Sequence, residues 1–359
     1  MAENTLYQKA YNFLYELIEK NGSIPDFKLP SERALAIKFN ASRRPIRLAY
    51  EKLIEQGYVE NIHGKGYFIK KTIEGKRRSL TPSRALNIHF IAPTIKTAFM
   101  QHILTGINQF CEERFIDLSI KISNEQQSKE NQLLRAAPLS RADGVLLFPN
   151  DSEYYSDELL KLYLGKFPIT VIDRFLQPLS VSYVATDNHT AMVDAVKFLH
   201  QKKFKHFVYV TPPKNIASAA EERVNGFNHG LFKYYGMASA ENLLIISGEA
   251  IEPKKKKVKE YLQKHPETEV MITMGVQATP IILAAAELGI SIPSQLKLMV
   301  FDDEFSPTER AAIQPYIIQQ DCYNIGYLAT EALYNQIYGD MRVTVKKLPV
   351  KILDCTQEE

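Results

Sequence analysis

The sequence LPSERALAIKFNASRRPIRLAY, residues 29–50, decides the fold of the first part of the chain. Three arginines, Arg43, Arg44 and Arg47, fall within five residues and follow a short polar turn. Ser42 precedes them and suits the N-cap of a helix, because its hydroxyl can accept a hydrogen bond from a first-turn amide. Pro45 falls in that first turn, where its missing N–H costs no helical hydrogen bond. The stretch therefore predicts a helix whose exposed start carries three cations.

Apolar residues on both sides of Ser42 predict a three-helix arrangement. One set with helical spacing is expected to form the buried face of the helix after Ser42: Ile46, Ala49, Tyr50, Leu53 and Ile54. An upstream set with the same spacing predicts a helix that ends before Asn21: Ala10, Phe13, Leu14, Leu17 and Ile18. Ser31 is expected to cap a short helix between them.

A β-hairpin is expected directly after the helices. Residues 58–62 and 67–69 have the composition of strands and flank the glycine-rich tip HGKG at 63–66. Three helices followed by a two-stranded wing form a winged helix-turn-helix, so an α+β domain is predicted over residues 1–71.

The distribution of charge supports a nucleic-acid partner for this domain. Residues 1–84 contain 16 basic and 9 acidic residues, whereas the remainder contains 28 and 32. A positively charged N-terminal region on a nearly neutral chain is expected to bind an anion. Arginines at a helix start can enter the major groove of DNA and pair with guanine edges.

Four motifs in this region resemble the GntR family of bacterial transcription regulators. They are LPSER-x-LA, SRxPxR, L-x-x-x-G-Y-V and the G-K-G of the wing, and they cover residues 5–70 in order. The resemblance implies a homodimer that binds a palindromic operator in double-stranded DNA. It also implies a set of DNA-contacting residues: Ser31, Arg33, Ser42, Arg43, Arg44, Pro45, Arg47, His63 and Lys65.

Beyond a basic linker at residues 72–86, strand-like and helical segments alternate up to the C-terminus. Eight short strands are predicted, at 88–91, 118–122, 144–148, 169–172, 207–210, 243–246, 270–273 and 297–301. Such alternation is typical of parallel sheets with helical crossovers, and residues 87–359 are long enough for two lobes. Ligands of such sheets bind beyond the carboxyl ends of the strands.

The segments after these strands resemble the effector domain of the LacI/GalR family, which is similar to periplasmic sugar-binding proteins. The motifs are VIDR at 171–174, VxxDN at 184–188, RxxGF at 223–227, GIxIP at 289–293, FDD at 301–303 and QQD at 319–321. The resemblance implies a first lobe of about 87–174 plus 322–337 and a second lobe of about 175–319 plus 338–359. It implies that effector contacts come from Phe99, Asp173, Arg174, Arg223, Gln277 and Asp302.

Two departures from the LacI/GalR pattern bear on the effector. The family usually has Asn-Asp after the strand at 270–273, where this chain has Met-Gly-Val-Gln at 274–277, and Val300 replaces a glycine. Gln277 is the candidate substitute for the missing amide. A GntR-type N-terminal domain joined to such an effector domain resembles the arabinose-responsive repressors. This resemblance implies an arabinose- or fucose-like sugar as the effector.

Other functional classes receive less support. The sequence has no G-x-S-x-G, P-loop, HExxH or GxGxxG motif, so neither an enzyme nor a catalytic residue is predicted. The alternatives left open are a GntR-type regulator with a non-sugar effector, one with a pyridoxal-phosphate-dependent enzyme-like domain, and a plain sugar-binding module of a transport system. Three widely spaced cysteines indicate reduced thiols and no metal cage, and no cofactor is predicted. With Glu3 where a signal peptide would be basic, a cytoplasmic protein without a membrane segment is expected.

Overall fold

The computed structural model of the chain describes residues 2–21, 27–55, 57–62, 64–70, 85–150, 156–174, 179–213, 218–236, 242–248, 250–340 and 342–356. The chain forms two compact units, Met1–Ala85 and Leu86–Glu359. Nearly all of the expected linker, residues 72–86, lies outside the described residues.

The first unit has the predicted winged helix-turn-helix fold. Its elements are α1 (Ala2–Asn21), α2 (Glu32–Lys38), α3 (Arg43–Glu55), β1 (Val59–Ile62) and β2 (Gly66–Ile69). Ser31 caps α2, as expected, by accepting a hydrogen bond from the Ala34 amide. The two strands pair in antiparallel orientation with Ile62 opposite Gly66, which forms the wing.

The core of this unit consists largely of the predicted apolar faces. It contains Ala10, Leu14, Ile18, Leu35, Ile46, Ala49, Tyr50 and Leu53. Ile54 was expected in the buried face of α3, but 37% of it is exposed. One residue corresponds to about 100° of rotation on a helix, so Ile54 lies outside the stripe that ends at Leu53.

The second unit is an α/β structure with two sheets, which confirms the predicted fold class. Its elements in chain order are β3 (Asn87–Ala92), α4 (Ala98–Glu113), β4 (Asp117–Ile122), α5 (Gln127–Leu139), β5 (Gly144–Leu147), α6 (Asp157–Leu164), β6 (Ile169–Ile172), β7 (Ser182–Thr186), α7 (Asn188–Gln201), β8 (Phe207–Thr211), α8 (Ser218–Tyr235), β9 (Leu243–Ile245), α9 (Ile251–Lys264), β10 (Val270–Met274), a 3₁₀ turn (Gly275–Gln277), α10 (Ala278–Glu287), β11 (Lys297–Phe301), α11 (Pro307–Ile313), β12 (Tyr316–Gln319), α12 (Cys322–Ile337), β13 (Val345–Leu348) and β14 (Lys351–Asp354). All eight predicted strands are present, whereas β7, β12, β13 and β14 were not predicted.

Each sheet has six strands and forms the centre of one lobe. The sheet of the first lobe has the order β13-β7-β6-β5-β3-β4 and is parallel throughout. The sheet of the second lobe has the order β14-β12-β11-β10-β8-β9, in which only β14 is antiparallel to its neighbour. Helices cover both faces of each sheet. In the first lobe, α4 and α12 cover one face and α5 and α6 cover the other. In the second lobe, α7 and α8 cover one face and α9 and α10 cover the other.

The chain passes between the two sheets at residues 320–321, as expected, but the other two crossings lie elsewhere than expected. β7 and β13 belong to the first sheet, although residues 175–319 and 338–359 were assigned to the second lobe. The described crossings lie near residues 187, 320–321 and 349–350. Sheet membership depends on pairing between distant strands, and the sequence motifs alone do not record that pairing.

Further sequence expectations concern cysteines and membrane segments. Cys111, Cys322 and Cys355 are buried and form no disulfide. The largely apolar residues 270–290 form the buried strand β10, which was expected at 270–273, followed by α10. Among the described helices, none is both long enough and apolar enough to cross a membrane.

Two glycines determine how closely α4 and α12 pack in the first lobe. A Cβ at Gly106 would lie 2.0 Å from the Tyr323 carbonyl oxygen, and one at Gly326 would lie 2.1 Å from the Ile103 carbonyl oxygen. These backbone atoms cannot move aside as a flexible side chain could. The two helices are therefore in contact through their backbones.

We predict that Gly106→Ala destabilises the second unit by about 1–3 kcal/mol, because the added methyl group must push α12 away from α4. Thr105→Ala, an exposed position of the same helix, should change stability by less than about 0.5 kcal/mol. Urea unfolding of the two variants beside the wild type measures the difference. Equal stability of Gly106→Ala and wild type would refute the close packing of α4 and α12.

Candidate nucleic-acid interface and effector site

The start of α3 presents the arginines identified in the sequence. Arg43, Arg44 and Arg47 are exposed, and Ser42 is an exposed residue just before the helix. Pro45 is buried, so it shapes the first turn and its ring is not available as an outward contact. Among the described residues, neither Arg43 nor Arg44 forms an ion pair with a carboxylate. Both guanidinium groups can therefore bind an external anion without breaking an ion pair within the described residues.

Arg47 differs from its neighbours because Glu32 of α2 holds it. The Nη2 atom of Arg47 lies 3.2 Å from a Glu32 carboxylate oxygen, although 58% of the arginine side chain is exposed. The hydroxyl of Tyr67 donates a second hydrogen bond to Glu32 at 2.6 Å. Burial would raise the pKa of Glu32, but the hydrogen bonds from Tyr67 and Arg47 outweigh it and lower the pKa. Glu32 thus connects α2, α3 and the wing, a role that was not predicted.

Aromatic packing adds a second connection between α3 and the wing. The rings of Tyr50 and Tyr67 are stacked with centroids 3.8 Å apart, and the Tyr50 hydroxyl donates to the carbonyl of Pro30. Burial, with a smaller effect of Glu32, raises the pKa of Tyr67 to about 12. Both tyrosines therefore keep their protons near neutral pH and can donate these hydrogen bonds.

The remaining predicted contacts lie on α2 and the wing. Arg33 of α2 and Lys65 at the wing tip are exposed. Gly64 has φ +75° and Gly66 has φ +107°, backbone conformations that glycine adopts readily. Ser31 is exposed, and its hydroxyl oxygen already accepts the capping hydrogen bond from α2. His63 lies outside the described residues.

In the second unit, Asp302 lies immediately after β11 and is 7% exposed. One of its carboxylate oxygens accepts a hydrogen bond from the Gln320 side-chain amide at 2.6 Å. Gln320 in turn accepts one from the Thr186 hydroxyl at 2.5 Å. This chain of hydrogen bonds connects the end of β7 in the first lobe with the end of β11 in the second.

Arg223 of α8 is buried next to Asp302. Its Nε donates to the Asn188 side-chain oxygen at 2.7 Å, and its Nη1 lies 2.6 Å from the sulfur of Met274. The guanidinium also lies over the Phe301 ring, 4.1 Å from the centroid. Burial raises the pKa of Asp302 to about 6, and the attraction of Arg223 only partly opposes this. The sequence pointed to Arg223 and Asp302 but not to the orienting roles of Asn188 and Gln320.

Asp173 supplies a further acidic group from the first lobe. It follows β6, has φ +68° and is 7% exposed. Its Oδ1 atom is buried and has no hydrogen-bond partner among the described residues. The negative charge of Asp173 makes a minor contribution to the raised pKa of Asp302, which burial mainly causes.

Phe99 and Arg174 meet at an aromatic side chain of the first lobe. The ring of Phe148 is in edge-to-face contact with Phe99 at 6.2 Å and lies under the Arg174 guanidinium at 5.2 Å. Arg174 also donates a hydrogen bond to the Pro149 carbonyl at 2.8 Å. The buried Glu130 attracts Arg174, although burial raises the pKa of this carboxyl.

Gln277 follows β10 in the second lobe, as the sequence indicated. Its side-chain oxygen is buried and has no hydrogen-bond partner among the described residues. Within the described part of the chain, no hydrogen bond joins Gln277 to Arg223 or Asp302. The structure therefore leaves its assignment as an effector contact a prediction.

Two family models match the two units of the chain. The model described as bacterial regulatory proteins, gntR family, matches residues 6–69, and the one described as periplasmic binding protein domain matches residues 88–341. The chain belongs to the periplasmic binding protein domain family, and it carries a GntR-type DNA-binding domain in front of that domain. The resemblances seen in the sequence are thereby confirmed, and neither matching model describes an enzyme.

Curated relatives and solved structures agree with this family. The arabinose metabolism transcriptional repressor of Halalkalibacterium halodurans is 23% identical, with 82% of this chain and 80% of the relative covered. The ribose operon repressor of the same organism is 22% identical, covering 77% of this chain and 80% of the relative. The transcription regulator CcpA of Lactococcus lactis has a similar fold, with a TM-score of 0.66 at 16% identity over 76% of this chain and 98% of that chain.

We predict that Arg44→Ala weakens specific DNA binding by about 1–3 kcal/mol, because its guanidinium can contact a base edge. Lys9→Ala, an exposed cation on α1, is the control and should have little effect. Fluorescence anisotropy with a selected operator and with random DNA measures both. An equal loss on the two DNAs would show that Arg44 contacts phosphate rather than a base.

We also predict that Asp302→Asn removes a pH dependence of stability. The raised pKa of Asp302 means that the folded state binds the proton more tightly, so this stabilising contribution is complete below about pH 4 and is lost as pH rises through about 6. Between pH 5 and 7.5 the free energy of unfolding of the wild type should fall by about 1.4 kcal/mol, and that of the variant should not show this fall. Urea unfolding at both pH values tests this, and parallel pH profiles would contradict it.

Proposed function

We propose that this regulator binds a palindromic operator as a homodimer in the cytoplasm and represses genes of carbohydrate use until a small sugar binds between its lobes. An arabinose- or fucose-like monosaccharide is the proposed effector. Two relatives named for arabinose metabolism and for the ribose operon support the carbohydrate assignment.

The convergence of Arg223, Asp302 and Asp173 is the observation that carries the sugar proposal. A guanidinium donates hydrogen bonds and carboxylates accept them, and a sugar hydroxyl can do both. The unsatisfied oxygens of Asp173 and Gln277 offer acceptors for two hydroxyl groups. The ring of Phe99 supplies an apolar surface of the kind that can pack against the C–H groups of a sugar.

The DNA-binding part of the proposal rests on the exposed arginines of α3. Arg43 and Arg44 lie at the helix start, and Lys65 extends from the wing. This arrangement suits a recognition helix that enters the major groove while the wing contacts the DNA backbone. Binding by charge should weaken as salt concentration rises, because phosphate contacts release counterions.

Effector control requires that the sugar bind one state of the lobes better than the other. The size of the response is limited by that difference in affinity, and typical couplings are about 5- to 150-fold. The sugar is expected to lower operator affinity and thereby to relieve repression.

We predict that, of a panel containing arabinose, fucose, ribose, galactose and their phosphates, at least one neutral sugar lowers operator affinity about tenfold or more. The operator is first selected from random DNA with the full-length protein. Arg223→Gln should lose the sugar response and keep its DNA affinity, whereas Arg44→Ala should lose DNA affinity and keep sugar binding.

The outcomes separate the alternatives. A response to phosphorylated sugars alone, or to none of the panel, would contradict the neutral-sugar proposal and favour a non-sugar effector. Failure to select any DNA would contradict the regulatory proposal itself. A monomer in sedimentation experiments with operator DNA would contradict the dimer.

A further inference from the structure

A glutamate of the second lobe reaches across to a helix of the first. Glu304 lies three residues after β11, and its two carboxylate oxygens accept hydrogen bonds from the backbone amides at the start of α4. The distances are 3.1 Å to the Ala98 nitrogen and 3.3 Å to the Phe99 nitrogen. The partners are more than 200 residues apart in sequence and belong to different sheets. We call this pair of hydrogen bonds the Glu304 bridge.

The Glu304 bridge completes the cap of α4. The hydroxyl of Thr97 accepts from the Met100 amide at 3.2 Å, so each of the first three amides of the helix has an acceptor. Two of the three acceptors come from the other lobe. The amides at a helix start have no partner within the helix and carry partial positive charge, which favours a carboxylate there.

The space that Glu304 occupies depends on Gly275. A Cβ atom at position 275 would lie 3.0 Å from Cγ of Glu304 and 2.6 Å from the carbonyl oxygen of Asp302. Gly275 belongs to the segment 274–277, which departs from the LacI/GalR pattern. The absence of a side chain at Gly275 leaves room for Glu304 to pass over the end of β10 towards α4.

The Glu304 bridge is also close to the proposed effector contacts. Glu304 is two residues from Asp302, and one of the amides that it accepts from belongs to Phe99. Opening the lobes would separate Glu304 from α4 and, with it, Asp302 from Phe99.

We propose that Glu304 is a positioning residue that holds the two lobes closed over the effector site. The effect on closure rests on the geometry, whereas the effect on sugar binding also rests on the proposed function. When only part of the population is closed, the apparent affinity for an effector of the closed state falls by that fraction. Loss of the Glu304 bridge should therefore lower the affinity for the effector, although no contact between the protein and the effector is removed.

Closure is tested first, without a ligand, in full-length protein carrying Glu304→Gln or Glu304→Ala. Glu260→Gln, an exposed glutamate on α9 of the second lobe, is the matched control. The native cysteines are buried, so spin labels can be attached at Ser128→Cys in the first lobe and Lys256→Cys in the second. Labelled chains are diluted with unlabelled ones to suppress distances between copies. Hydrogen exchange of the Ala98 and Phe99 amides is measured in parallel.

We expect both Glu304 variants to exchange these two amides about tenfold faster or more and to broaden the distance between the lobes, while Glu260→Gln matches the wild type. Unchanged exchange would show that the Glu304 bridge is absent in solution. Faster exchange with an unchanged distance distribution would show that Glu304 only caps α4. Either result overturns the proposal.

Arabinose binding by calorimetry then tests the link to the effector. If the wild type binds arabinose, the Glu304 variants should bind it about 3- to 10-fold more weakly, with an unfolding midpoint close to that of the wild type. An unchanged dissociation constant would overturn the role in effector affinity. If the wild type does not bind arabinose, the arabinose assignment fails, and closure is decided by exchange and distance alone.

Discussion

The hydrogen bonds of Gln320 are the constraint on which the effector unit depends. The amide oxygen of this buried side chain accepts a hydrogen bond from Thr186 at the end of β7, and its amide nitrogen donates one to Asp302 at the end of β11. Gln320 itself lies where the chain passes from the second lobe to the first. A side chain at the crossing thus holds the carboxyl ends of the two sheets next to each other. The position of the Asp302 carboxylate depends on this contact.

The two units keep their charged groups in place in different ways. In the first unit, Glu32 binds Arg47 and Tyr67 at the surface, so the interface is ordered by an ion pair that water still reaches. In the second unit, Asp302 is buried beside another carboxylate, and its charge is destabilised. A buried carboxylate gains from any donor that a ligand brings, because an unsatisfied charge is costly away from water. The first arrangement suits reversible contact with DNA, and the second suits a ligand that carries hydroxyl groups.

Local sequence signals were sufficient for elements whose residues interact with near neighbours in the chain. The stripe of α3, the Ser31 cap and eight strands followed from periodicity and capping. β7, β12, β13 and β14 were not predicted, since their places in the sheets are defined by pairing with distant strands. The ion pair of Arg47 with Glu32 and the hydrogen bond that Arg223 donates to Asn188 join separate helices, so spacing alone does not reveal them. Gly275 was visible as a departure from the family pattern, but its relation to Glu304 requires the folded chain.

The central claim is that DNA binding and effector binding share one equilibrium between states of the lobes. It is tested most directly by measuring the dissociation constant of the effector with and without saturating operator DNA. Thermodynamic linkage predicts that operator DNA lowers the affinity for the effector by the same factor by which the effector lowers the affinity for DNA. An effector dissociation constant that DNA leaves unchanged would contradict the account.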